Sequence, residues 1–151
     1  MRDYYFEDFE VGQRYETMAA TVSEGQILDF AMAYDPQPLH INKPVAEASQ
    51  FGGLIASGFQ TISLTFSLFF RMRWIETANM GSPGIEDIKF LKPLRPGDTI
   101  RSVIEVTQIR PSQSRPELGS IWMRHEAYNQ KNEMILSALC IHRVRRRPTE
   151  S

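Results

Sequence analysis

The chain predicts an α+β domain in which an antiparallel β-sheet wraps around a long buried central helix, and three observations carry that prediction. Helical patterns fill residues 23–72 and strand patterns fill residues 85–143, the segregation that separates α+β layers from alternating α/β units. From Ser57 to about Met72 the residues Phe59, Ile62, Leu64, Phe66, Leu68, Phe69 and Phe70 leave almost no polar face. That segment, about 24 Å long at 1.5 Å per residue, is expected to be enclosed on most sides. Finally, residues 134–141 are nearly all apolar, as in a strand buried on both faces.

Taken in order, Arg14 to Val22 supplies a first strand. Ser23-Glu24-Gly25-Gln26 has the form of a capping box, and Ile27, Phe30, Ala31 and Tyr34 follow at helical spacing, so a helix is expected over 24–34. It ends at Asp35, because Pro36 forbids continuation. Residues 43–48 read as a short helix with Pro44 in its first turn, broken by Gly52-Gly53 ahead of the long apolar helix. Four strands follow over 85–91, 99–110, 121–128 and 134–143, separated by turn-formers at 93–98, 111–116 and 129–132. They are expected to pair sequentially and antiparallel. Ile121, Met123 and Ala127 alternate with Trp122, Arg124 and Tyr128, the pattern of a strand with one buried face. An open sheet leaves an edge to be covered or paired, which predicts a homodimer.

One domain spans 1–151, with about 143–151 expected to be a basic, flexible tail. A net charge of -1 and a single basic run, Arg143-Val144-Arg145-Arg146-Arg147, argue against nucleic acid as a partner. The lone cysteine, Cys140, lies in an apolar run and is read as a core thiol. Residues 1–10 lack a basic segment followed by an apolar one, and no stretch approaches the ~18 apolar residues of a membrane span. The expectation is a cytoplasmic protein without membrane contact.

The stretch richest in chemistry is Ala33-Tyr34-Asp35-Pro36-Gln37-Pro38-Leu39-His40, which sets a carboxylate and an imidazole five positions apart. Pro36 and Pro38 stiffen the segment between them. Two readings stand at this point: a pre-set acid/base pair, or the solvated ends of a loop. His125 falls on an apolar strand face and reads as a core histidine, while His142 ends a strand; neither has ligands at metal-binding spacing, so no metal is expected. Ser57 reads as a helix N-cap and lacks the flanking glycines of a nucleophile elbow. Arg110, Arg115 and the terminal arginines either meet phosphates or are solvated loop residues.

These residues resemble the MaoC-like dehydratases, the (R)-specific enoyl-CoA hydratase group of the hotdog fold. The family's Asp-x-Asn-Pro-Leu/Ile-His pattern is matched by Asp35 to His40, with the small Ala48 eight positions on. Residues 6–12 resemble the family's opening, 51–58 its lead into the central helix, and 90–98 its turn before a long strand. Gln37 replaces the family's Asn, Tyr34 its Gly, and Ser57 its frequent His. The resemblance implies that Asp35 and His40 activate one water and that the Gly58 N–H receives the thioester oxygen. Ser57, Gln37 and Pro38 are implied at the substrate. The implied reaction is reversible hydration of a 2-enoyl-CoA to an (R)-3-hydroxyacyl-CoA, with no cofactor beyond the CoA of the substrate. A thioesterase on the same fold and a non-catalytic acyl-CoA-binding subunit remain alternatives.

Overall fold

A computed structural model describes residues 3–149. Its strands are β1 (Arg14–Glu16), β2 (Ala20–Thr21), β3 (Gly84–Phe90), β4 (Thr99–Pro111), β5 (Leu118–Tyr128) and β6 (Met134–Arg145). Its α-helices are α1 (Glu24–Tyr34), α2 (Pro38–Ile41), α3 (Lys43–Ala48) and α4 (Gly58–Phe70). One antiparallel sheet runs β1-β4-β5-β6-β3, with β2 paired to the start of β4. The single first strand expected over 14–22 is interrupted at Thr17, which turns its hydroxyl to the Met18 carbonyl and accepts from the Ser102 N–H.

Sequential pairing holds for β4-β5-β6 and fails for β3, which pairs with β6. The reason lies in residues 91–98, where Pro93, Pro96 and Gly97 carry the chain across the end of the sheet. Gly97 has φ +85°, open to glycine at little cost, and Asp98 accepts from the Arg95 N–H to close the turn. That leaves β3 at the sheet's edge, where Ile85, Ile88 and Phe90 are exposed.

Capping sets α1 as the sequence predicts: Ser23 Oγ accepts from Gln26 N, and the Gln26 side chain accepts from Ser23 N. Ile27 and Ala31 are buried beneath it. The central helix α4 is buried through Thr61, Thr65, Phe66, Leu68 and Phe69, against two apolar clusters. Phe69 joins Phe9, Ile104, Ile121 and Met123 toward one end, and Leu68 joins Ile27, Leu94, Ile100 and Ile135 toward the other. Enclosure on most sides, however, is not reached within one chain, since Phe59 is 62% and Phe70 44% exposed. Cys140 is buried, as a core thiol should be.

The basic run departs from the expected tail. Arg143 and Arg145 belong to β6, while Arg146 pairs with Glu7 and Arg147 with Asp8. These contacts hold the turn at Phe6–Asp8 against the sheet, with the Phe6 ring seated over Gly119.

Candidate active site

Asp35 stands at the C-cap of α1, and His40 lies in the helical turn α2 instead of an open loop. Pro38 starts that turn, its fixed φ suiting a first helical position, and His40 N–H donates to the Gln37 carbonyl. The five-residue spacing thus becomes one chain reversal that brings the two side chains together: His40 Nε2 lies 3.5 Å from Asp35 Oδ2. That exceeds the usual 2.7–3.2 Å of an N–H···O bond, so both atoms keep reach for a third group. The His40 and Asp35 side chains are 9% and 12% exposed, sheltered yet open to the cavity beside them.

Each member of the pair is held from behind. His40 Nδ1 lies 2.8 Å from the Ile55 carbonyl oxygen. A carbonyl only accepts, so Nδ1 carries a proton, and it is the neutral form of the ring that presents a lone pair at Nε2, toward Asp35. Asp35 Oδ2 accepts from the Ser57 hydroxyl at 2.7 Å, and Oδ1 accepts from Gln37 Nε2 at 2.7 Å. The Ser57 bond first, then the Gln37 bond, hold the Asp35 carboxyl below its ordinary value.

The cavity beside the pair has a volume of about 460 Å³ and is bordered by Gly58, Phe59, Thr61, Phe90, Leu91 and Leu94, among others. Gly58 opens α4, where N–H groups lack acceptors one turn back. Those of Phe59, Gln60 and Thr61 are taken by the Ser57 hydroxyl and carbonyl, so Gly58 keeps the one without an intrahelical acceptor. A Cβ here would stand 2.8 Å from the Phe90 ring, and glycine is what allows close approach.

Of the six residues expected at the site, Asp35, His40, Gln37 and Gly58 line one cavity. Ser57 does not face it: fully buried, it caps α4 through the Phe59 N–H and donates to Asp35, which makes it a positioning residue. Pro38 is not among the lining residues either, its ring being spent on starting α2. Sequence reasoning missed the Ile55 carbonyl and the Phe90–Leu94 wall. A carbonyl has no sequence signature, and β3 lies some fifty positions beyond Asp35, so only the sheet order brings it there. Elsewhere, His125 and His142 meet in the core with Nε2 atoms 3.3 Å apart, while His125 Nδ1 has no partner, so His125 is a core histidine satisfied at only one nitrogen. Among the described residues no cluster of three or more His, Cys, Asp or Glu is placed to hold a metal ion, and no helix is long and apolar enough to cross a membrane.

Residues 8–120 match the MaoC like domain family. The chain is 35% identical over 130 residues to the uncharacterized protein YdeM of Bacillus subtilis, covering 83% of this chain and 87% of that one. It is 30% identical over 115 residues to an (R)-specific enoyl-CoA hydratase of Rhodospirillum rubrum, covering 73% and 74%. A crystal structure of a MaoC-like dehydratase from Rhodospirillum rubrum superposes with a TM-score of 0.83 at 32% identity, over 97% of this chain and 99% of that one. The sheet wrapped on α4, the Asp35–His40 pair at its mouth and these likenesses agree: the chain belongs to the MaoC-like dehydratase family and has its hotdog fold.

Proposed function

We propose that this protein catalyses the reversible addition of water to a 2-enoyl-CoA, giving an (R)-3-hydroxyacyl-CoA. The observation that carries the reading is the convergence of Asp35, His40 and the Gly58 N–H on one cavity. Hydration needs a base for water, an acid for C2 and a donor for charge gathering on the thioester oxygen. With Nδ1–H tied to Ile55, His40 Nε2 is the basic nitrogen, and ionised Asp35 accepts the second hydrogen bond of the same water. As the water oxygen bonds to C3, one of its protons passes to Nε2 and the alkene electrons move toward the thioester oxygen at Gly58 N–H. Collapse of that enolate takes the proton from Nε2 to C2, restoring the neutral imidazole and leaving water added across the double bond. Nothing in this sequence calls for a cofactor.

A second copy of the chain is part of the reading. Phe90 and Leu91, 57% and 49% exposed, form one wall of the cavity on the free edge of β3. Pairing of this free edge with the same edge of a second copy satisfies its open backbone groups and covers the apolar side chains exposed on β3.

Incubation with crotonyl-CoA and longer enoyl-CoAs tests the activity through loss of the conjugated-thioester absorbance. Loss that disappears in Asp35→Asn and His40→Ala is expected. Free thiol released from a saturated acyl-CoA, with no hydration, would assign a thioesterase instead.

A further inference from the structure

At the end of the sheet far from Asp35, a cavity of about 540 Å³ is framed by Arg110, Ser112, Ser114, Arg115, Ser120 and Arg143. Its floor follows from strand register. Arg110 of β4 stands opposite Ser120 of β5, and Ser120 stands opposite Arg143 of β6. Side chains in one such row share a face, so two arginines flank one serine with strands about 4.8 Å apart. The face is the one turned away from α4, because the neighbouring His142 and Ile121 point inward to Phe69 and the core. The loop between β4 and β5 folds Arg115 and the Ser112 and Ser114 hydroxyls around the same space. Ser112 Oγ accepts from the Arg115 N–H, which leaves its own proton to donate.

Charge on these arginines is poorly matched by acids. Arg115 pairs with Glu117. Arg110 lies over the Trp122 ring, 5.3 Å from its centroid, and among the described residues neither Arg110 nor Arg143 has a carboxylate within ion-pair distance. In a protein of net charge -1, two guanidiniums without a carboxylate partner, beside a third that pairs with Glu117, therefore form a positive concavity. Guanidinium planes and hydroxyl donors match the oxygens of phosphate groups, and guanidiniums on β4, on β6 and on the loop between β4 and β5 suit linked phosphates better than a single one.

We propose that this cavity is a second ligand site, which takes a small molecule bearing two or more linked phosphates. It is separate from the cavity at Asp35. Phe90, in the wall of that cavity, pairs with Leu136 of β6, and Arg143 lies seven residues further along the same strand. At about 3.3 Å per residue that is about 23 Å, with Arg143 on the opposite face of the sheet from α4. A substrate molecule seated at Asp35 does not account for it.

The test is titration of inorganic pyrophosphate, inorganic triphosphate and coenzyme A into the full chain at low ionic strength. Binding is followed by calorimetry and by Trp emission, which Arg110 over Trp122 makes sensitive to occupancy. Saturable binding is expected, weakened at least about tenfold in the double variant R110Q/R143Q and by added salt. Lys43→Gln, a charge change remote from this cavity, is expected to leave it unchanged. Tighter Arg-dependent binding of coenzyme A than of pyrophosphate identifies the diphosphate of a CoA as the source; the reverse identifies a free polyphosphate, and either upholds the site. Absence of saturable binding, or affinity that is equal in R110Q/R143Q, overturns it. Pyrophosphate binding needs no turnover, so this outcome is independent of the hydratase reading.

Discussion

Acidification should unfold this protein through two histidines that have no part in its proposed chemistry. His125 and His142 are 0% and 2% exposed, packed against Phe66 and Phe69, with Nε2 atoms 3.3 Å apart. One ring must donate and the other accept, so both stay neutral; a proton on the acceptor would set two donors against each other in an apolar core. Burial pushes His142 down to about 4, and burial together with the neighbouring imidazole holds His125 well below its ordinary value. The unfolded chain therefore binds protons below about pH 6.5 that the folded chain refuses until about pH 4, so stability falls as pH drops through that window. For His142, at 1.36 kcal/mol per pH unit, the loss reaches about 3 kcal/mol, a large share of a 5–15 kcal/mol total. Urea unfolding followed by circular dichroism, between about pH 7 and about pH 4.5, measures it in wild type and His142→Gln. Carboxylates titrate alike in both, so the wild type should lose about 2–3 kcal/mol more than the variant. Parallel pH dependences would refute the argument.

Three further outcomes follow from the same geometry. Gly58→Ala sets a methyl group 2.8 Å from the Phe90 ring at the start of α4, and enoyl-CoA hydration should fall, with KM rising, because the methyl group crowds a thioester approaching the N–H, while the melting temperature changes little. Ser57→Ala removes both the cap of α4 and the first hydrogen bond to Asp35; it should cost about 1 kcal/mol in urea unfolding and move the acid limb of the kcat/KM profile to higher pH. Gly119→Ala drives a Cβ into the buried Phe6 ring, which the Arg146 guanidinium covers, and should destabilise the fold by about 1–3 kcal/mol with catalysis per folded molecule unchanged.

What the sequence made legible was whatever local physics decides. The Ser23 capping box, the end of α1 at Asp35 and the alternation along β5 each depend on residues within a few positions, and each is found where expected. Long-range pairing was a different matter. No local signal places β3 against β6, because that choice is made by a turn that crosses the sheet and by apolar surface elsewhere. For the same reason the Asp35–His40 pair was readable as a candidate while its Phe90 wall was not. The open side of α4 shows the limit most plainly: its run of apolar residues predicts burial, yet Phe59 and Phe70 remain exposed in a single chain. Hydrophobic content reports that a surface will be covered, without saying whether the cover belongs to the same molecule.

Ser57 couples the start of the central helix to the Asp35 carboxylate. Where relatives often carry histidine, this chain has a residue with no exposed surface whose single hydroxyl accepts from Phe59 N–H and donates to Asp35 Oδ2. The start of the central helix and the orientation of the carboxylate are therefore one structural event: α4 cannot shift along its axis without moving Asp35. Gln37 does the matching work from the other side, its extra methylene carrying Nε2 to Oδ1. With both oxygens held, Asp35 is kept ionised and aimed, while the Ile55 carbonyl fixes the His40 ring beside it. Gln37 and Ser57, two of the positions at which this chain departs from the family pattern, are thus both side-chain donors to the Asp35 carboxylate.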